Sequence, residues 1–258
     1  MPNSTSKNSS EYLYIFLGVL AIIAGWQLIS LFYSPVLVPS PLRTIESFWN
    51  IWNNGELAAN LAISFQRQVT GLGIGLSLGI STGILAGLNR KLELILQPLV
   101  NALLAVPAIV FVVMAMVWFG MGTLMTVFIV ALLVYPVMHL NTLEGFKSID
   151  RDLLEMAKVY RLPTWKKINK IYLPGLAHSL IAGFSLSTAS SVRLTVMAEL
   201  LGAREGIGQK IAISRAYMET ENLFAWVLVL ILILVALELL LVKPLNAFTV
   251  RWKKVINS

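Results

Sequence analysis

The stretch EMAKVYRLPTWKKINKIYLP, Glu155 to Pro174, lies between two of the most apolar runs of the chain. Lys158, Arg161, Lys166, Lys167 and Lys170 stand there against one acid, Glu155, and the segment closes on Leu173-Pro174. Tyr160 and Trp165 are aromatics of the kind that sit at membrane–water interfaces. A long basic amphipathic insert in so apolar a chain acquires a meaning only once its side of the membrane is known.

Of 258 residues, 57% are hydrophobic and 13% charged, roughly half the charged share of a soluble domain. The apolar residues fall in runs long enough to cross a hydrocarbon core as helix. The composition therefore predicts an all-α polytopic membrane protein built as one transmembrane domain over 1–258, with six spans at about 14–33, 61–88, 94–118, 123–143, 176–201 and 223–242. The first run is too long for a signal-peptide core and is read as an uncleaved span. Between the first two spans, a short amphipathic helix is expected around Thr44–Trp52.

Six spans put both termini on one side. With a cytoplasmic N-terminus, fourteen of the 20 basic residues lie inside: Lys7, Arg90, Lys91, seven in 146–175, and Lys243, Arg251, Lys253 and Lys254. Outside lie only Arg43, Arg204, Lys210 and Arg215, while Arg67 and Arg193 fall within spans. That asymmetry follows the positive-inside rule and places the insert in the cytoplasm. The same distribution explains the net charge of +7 without nucleic acid as a partner.

The second span carries Gly71, Gly75, Gly79, Gly83 and Gly87 at every fourth position. Such a ridge lets helix backbones approach closely in lipid; a sliding surface for a conformational change is the other reading. Within it, Gly75-Leu-Ser77-Leu-Gly79 fits the hydrolase pattern G-x-S-x-G. That chemistry needs a base and a strained turn at the serine. The only histidines, His139 and His178, lie near the cytoplasmic ends of spans four and five, and nothing suggests a turn at Ser77. H-E-x-x-H and the phosphate-binding G-x-x-x-x-G-K-[ST] are both absent from the sequence. No catalytic residue, metal site or cofactor is assigned to this chain.

Glu155, Ala157, Ile171, Leu173 and Pro174 match, at the family spacing, the cytoplasmic signature E-A-A-x3-G-x9-I-x-L-P of ABC importer permeases. The resemblance extends over nearly the whole chain. VPSPLRTIESF (38–48), SFQRQVTG (64–71), WFGMG (118–122), YPVMHLNTLEG (135–145) and AELLGAREGIG (198–208) occur in the order seen in the nitrate, sulfonate, taurine and bicarbonate importer branch.

This resemblance implies a type I ABC importer permease fold in the bacterial plasma (inner) membrane. It further implies a second permease copy, two cytoplasmic ATP-binding subunits carrying ATP and Mg, and an extracytoplasmic solute-binding protein. The chain itself is then a transport subunit and no enzyme. The insert becomes the ATPase-coupling segment, with Glu155, Ala157, Tyr160, Arg161, Leu162, Pro163, Trp165, Ile171, Leu173 and Pro174 as its residues. A basic helix resting on anionic lipid is the plainer reading; it accounts for the lysines and Trp165 and leaves the spacing unexplained. A channel or secondary transporter would not need that spacing, and inverted repeats would favour it.

Two positions depart from the signature: Met156 replaces its second alanine, and Arg161 stands where the family carries glycine. A non-glycine residue at positive φ is uncommon. Either the turn differs here, or Arg161 adds a contact to the ATPase.

For the solute, Arg193 in span five is the sharpest candidate, because an intramembrane ionisable group is functional by default. It lies among Ser185, Ser187, Thr188, Ser190 and Ser191, and a guanidinium with hydroxyls suits an oxyanion. The structural alternative pairs Arg193 with Glu199 or with an acid from another span. Glu199 itself, and Tyr135 and Asn141 around Pro136, are further candidates for the substrate pathway. The expected cargo is a small anion or anionic organic solute, with a different small nutrient as the alternative.

Overall fold

The computed structural model describes residues 4–242 and 244. In chain order the helices are α1 (Ser4–Phe32), α2 (Pro41–Asn53), α3 (Glu56–Leu88), α4 (Arg90–Ala105), α5 (Ala108–Phe119), α6 (Thr123–Lys147), α7 (Arg151–Val159) and α8 (Thr164–Lys167). A π-helical turn, Ile168–Tyr172, leads into α9 (Leu173–Gly202); α10 (Ile207–Ala216) and α11 (Thr220–Leu237) follow, and a second π turn, Glu238–Val242, extends α11. The expected all-α class is what forms. Lys243 and the basic residues Arg251, Lys253 and Lys254 lie outside the described residues, and so do the side chains before Leu13, including Lys7.

By packing, the chain divides into two units. One runs through Ala58 and takes up Lys210–Val229; the other comprises Ala59–Gln209 and resumes at Leu230.

In the first unit the segment after α1 is pinned by polar contacts. Trp26 donates its indole N–H to the carbonyl of Pro39 at 3.0 Å and stacks on Phe224. Ser40 caps α2 by accepting from the N–H of Arg43, and Pro41 opens the helix where its missing N–H costs nothing. This is the amphipathic helix expected around Thr44–Trp52. Thr44, Ser47 and Ile51 face inward, and Leu42, Ile45, Trp49 and Trp52 remain exposed.

The second unit is organised by the glycine ridge. Each of the five glycines of the ridge on α3 lies against α6 at a constant offset: Gly71 on Val130, Gly75 on Val134, Gly79 on Met138, Gly83 on Thr142 and Gly87 on Phe146. Positions rise together on both helices, so α3 and α6 run parallel. A Cβ added at Gly79 would fall 2.6 Å from the Cβ of Met138 and 2.9 Å from the carbonyl oxygen of Tyr135. Only glycine allows this approach.

Parallel neighbours require the chain to recross between them, and α4 with α5 makes that crossing. Its form departs from the expected single span at 94–118. The two helices meet at a bend of 100°. The cause is local: Pro107 drives Val106 into extended backbone at φ −80°, ψ 131°, which ends α4, and α5 starts afresh at Ala108. By contrast, α6 passes through Pro136 as one helix.

α9 runs antiparallel to α6, with Gly145 against Ser179, Gly183 against Asn141 and Gly202 against Met125. Val112, Ala115, Met125, Ile129 and Ala198 fill the core between α5, α6 and α9.

Candidate functional site

The insert folds as a hairpin of short helices on its own small core. Asp150 caps α7 by accepting from the N–H of Asp152. Ala157 and Ile171, two of the signature residues, are buried with Ile149 and Leu176, and Phe146, Leu154, Leu162 and Tyr172 pack around them. Phe146 and Tyr172 stack with ring centroids 5.2 Å apart.

The turn at Arg161 resolves the departure from the signature. Arg161 adopts φ +45°. Its N–H donates to the carbonyl of Lys158 and that of Leu162 to the carbonyl of Ala157, both at 3.0 Å. These are the two bonds of a Schellman motif with Arg161 in the left-handed position where glycine is usual. Leu162 packs on the core containing Ala157, the apolar contact that accompanies the motif. The turn is thus the glycine-type turn, and arginine occupies it at a conformational cost. Arg161→Gly is therefore expected to stabilise the hairpin by roughly 1 kcal/mol. Slower hydrogen exchange of the Arg161 and Leu162 amides would register it; unchanged or faster exchange would contradict the strain.

The remaining insert residues divide. Val159, Tyr160 and Trp165 are 78%, 74% and 70% exposed, the most exposed large apolar side chains of the hairpin. Glu155, Arg161, Pro163, Leu173 and Pro174 are also at the surface or partly so.

At the other end of α3 lies a polar cluster. Arg67 and Glu199 form an ion pair of 2.9 Å with both side chains almost wholly buried. Ser64 donates to the Glu199 carboxylate, the N–H of Gly208 adds a bond of 3.1 Å, and Ser64 accepts from the N–H of Ile207. Arg67 also donates to the hydroxyl of Thr123 and to the carbonyl of Glu205, while Asn60 accepts from the N–H of Gly206. Gly206 sits at φ +109° directly over the carboxylate, where a side chain has no room. The cluster ties α3, α6, α9 and the 203–206 loop together.

This network holds Glu199, a sequence candidate for the substrate pathway, inside protein. The Glu199 residue is 1% exposed and its carboxylate is engaged by Arg67, Ser64 and Gly208, so it faces protein. It also removes Glu199 as a partner for Arg193. Sequence reasoning placed Arg67 within a span and missed Asn60, Ser64 and Thr123. The recurrence of Asn60, Ser64, Arg67 and Gln68 on one face of α3 is the signal that could have found them.

The hydroxyl stretch of α9 is also split by the fold. Ser187, Thr188 and Ser191 are buried, and Ser190 is partly so. Ser191 accepts from the amide of Gln68 at 3.1 Å, and Ser190 donates back to the carbonyl of Leu186. Arg193 is exposed and makes no ion pair among the described residues. It stands between two cavities. One, of about 430 Å³, includes Ser190 and the broken backbone at Val106 and Pro107. The other, of about 310 Å³, is shared with α11. Tyr135 and Asn141 border neither: Tyr135 packs on the ring of His139, and Asn141 donates to the carbonyl of Val137 beside Gly183.

Residues 75–248 match the family described as "Binding-protein-dependent transport system inner membrane component". The chain belongs to that family. It is a permease, a multi-pass transport component of the membrane. It is 36% identical over 205 residues to the "Putative aliphatic sulfonates transport permease protein SsuC" of Escherichia coli (strain K12), covering 78% of each chain. The Bacillus subtilis (strain 168) protein of the same name is 30% identical over 210 residues, 81% of this permease and 76% of the relative. The fold is similar to that of a chain in "Inward facing conformations of the MetNI methionine ABC transporter: CY5 SeMet soak crystal form", at a TM-score of 0.63 and 17% identity, covering 74% of this chain and 95% of that one.

Proposed function

We propose that the chain serves as the membrane permease of an ATP-driven importer for a small anionic organic solute, working as one transmembrane domain in a pair of identical copies. Two separate cytoplasmic subunits bind ATP and Mg, and an outer binding protein delivers the solute. The observation that carries this reading is the α7–α8 hairpin. Its signature residues Ala157 and Ile171 are buried in a shared core while Val159, Tyr160 and Trp165 stay largely exposed. Exposed aromatics on a rigid base are the usual anchors of a protein interface. The distribution of Lys and Arg supports a cytoplasmic hairpin with both termini on the same side.

In this cycle ATP-driven closure of the ATPases presses on the hairpins and shifts the permease between inward- and outward-facing states. The permease supplies differential contacts in the two states and no covalent step. Tyr160→Ala with Trp165→Ala is expected to weaken ATPase retention at least about tenfold, as for paired interface anchors, with membrane insertion unchanged. Co-elution of the tagged permease with its ATPase measures this. An unaltered permease that never retains an ATPase would sink the proposal.

Arg193 supports an anionic cargo. It is an exposed guanidinium with no carboxylate partner among the described residues, and it lines two cavities. Arg193→Ala is expected to cut anion uptake by about tenfold or more, the loss of a charge-assisted contact. Full uptake by that variant would remove Arg193 from the pathway.

A further inference from the structure

The short helix α2 divides lengthwise into three faces. Thr44, Ser47 and Ile51 are buried, while Leu42, Ile45, Trp49 and Trp52 form an exposed apolar strip. Arg43, Glu46, Asn50 and Asn53 form an exposed polar strip beside it. At 3.6 residues per turn, each set keeps to an arc of no more than ~80°. The half-buried ring of Phe48 lies against both Trp49 and Trp52, so the two indoles belong to one aromatic edge. Trp49 and Trp52 are nonetheless 56% and 57% exposed. A contiguous bare strip of this kind marks a surface that meets a partner or a membrane.

The attachment of α2 to its neighbours says which. Trp26 donates its indole N–H to the carbonyl of Pro39, two residues before α2 begins. Trp26 lies six residues before the end of α1 at Phe32, so α2 starts level with a point ~9 Å back along the α1 axis. The chain therefore folds back beside the span instead of rising away from it. No residue of α1 from Leu13 to Phe32 is buried, and Leu28, Ile29, Leu31 and Phe32 are exposed around that same level. The apolar strip of α2 thus continues an apolar surface that belongs to a membrane span. At thirteen residues, or ~20 Å, α2 is too short to cross the bilayer itself. A helix with an apolar aromatic strip and a polar strip side by side is suited to lie in the interface.

We propose that α2 lies in the plane of the membrane at the leaflet where α1 ends, with lipid as its partner. Leu42, Ile45, Trp49 and Trp52 rest among the upper acyl chains, and Arg43, Glu46, Asn50 and Asn53 face headgroups and water. Recognition is by apolar area and by the placement of the indoles at the headgroup boundary, with no particular headgroup required. By the distribution of Lys and Arg, that leaflet is the outer one. Ser47 donates to the side-chain carbonyl of Asn222 at 2.6 Å, and Arg43 pairs with Glu221 at 3.2 Å. Both acceptors lie in the first turn of α11, so the leaflet sets the height at which α11 enters the membrane.

The sequence contains no cysteine, so a single introduced cysteine carries a nitroxide at one chosen site. The full permease, assembled with its ATPase, is placed in vesicles of phosphatidylcholine and phosphatidylglycerol. Spin relaxation by oxygen, which concentrates in lipid, is divided by relaxation by a water-soluble nickel chelate. That ratio is expected to be at least about fivefold higher at Ile45→Cys and Trp49→Cys than at Glu46→Cys and Asn50→Cys, as for a helix seated ~5–10 Å into the boundary. High nickel access on both strips would put α2 in water. Low access of both reagents on the apolar strip would put a second copy or another protein over it. Either result overturns the placement. Trp49→Phe with Trp52→Phe keeps the strip apolar and serves where a cysteine variant fails to assemble. The emission lost in that double variant should be quenched more strongly by lipids brominated near the top of the acyl chain than by lipids brominated near its end. Emission untouched by either lipid, or quenched as well by the deeper bromines, overturns the placement too.

Discussion

Gly79→Leu is expected to leave little folded permease, and Gly79→Ala to cost about 1–3 kcal/mol, the usual range for forcing extra atoms into a packed core. The cost follows from what lies opposite. The nearest atoms to an added Cβ are the Cβ of Met138, the carbonyl oxygen of Tyr135 and the N–H of His139. None can rotate away, because each is fixed to the backbone of α6. Only a shift of the whole helix would make room, and the four other glycines of the ridge hold α6 where it is. Gly73 supplies the internal control. It lies on the same helix with nothing within 4 Å of an added Cβ. Gly73→Ala should therefore be neutral, or stabilising by up to about 1 kcal/mol through helix propensity. Thermal unfolding of the two alanine variants in detergent separates them. Equal tolerance at both positions would contradict close packing as the reason for the ridge.

Glu199→Ala should be the most damaging single change outside that ridge, at roughly 3–5 kcal/mol, because it strands a buried cation. Arg67 would keep its bonds to Thr123 and to the carbonyl of Glu205 but lose the carboxylate it pairs with. Ser64 and the N–H of Gly208 would lose their acceptor as well. The pairwise part of this cost is open to measurement. Replacing Arg67 and Glu199 together by methionine removes both charges at similar bulk, and the double variant is expected to be more stable than Glu199→Ala alone. A thermodynamic cycle over the two sites should then give a coupling of about 1–3 kcal/mol, as for residues within one network. Additive single effects would mean that the two side chains do not depend on each other.

The periodic features were legible in the sequence and the irregular ones much less so. Every expected span corresponds to helix, because apolar length is a local property. The glycine ridge was legible as a packing surface, yet its partner was not. Spacing on α3 says nothing about which helix carries the matching row at 130, 134, 138, 142 and 146. The bend at Val106–Pro107 was hidden by composition, since both of its arms are equally apolar. At Arg161 the signature marked a position needing positive φ, and the side chain obscured it, because the turn is made by backbone bonds that arginine also permits. Around Arg193 the sequence supplied the hydroxyls but not their directions. The fold turns Ser187 and Ser191 inward, leaves Thr188 at a cavity, and brings Glu238 there from 45 positions further along the chain. Glu199 was assigned by its place in an intramembrane helix, whereas its role depends on a partner 132 residues away.

The parallel seam between α3 and α6 has a mechanical consequence. From Gly71 to Gly87 the two helices are locked row into row over ~24 Å at the helical rise per residue. Neither can slide past the other without driving backbone into backbone, so together they behave as one strut. Its foot is Phe146, which packs into the core of the hairpin; its head lies beside Arg67, joined through Thr123 and Glu199 to α6 and α9. A displacement of the hairpin is therefore delivered to the far end of the strut without lost motion. Flexure is left to the break at Val106–Pro107, the one place among the described residues of this unit where a crossing is already divided.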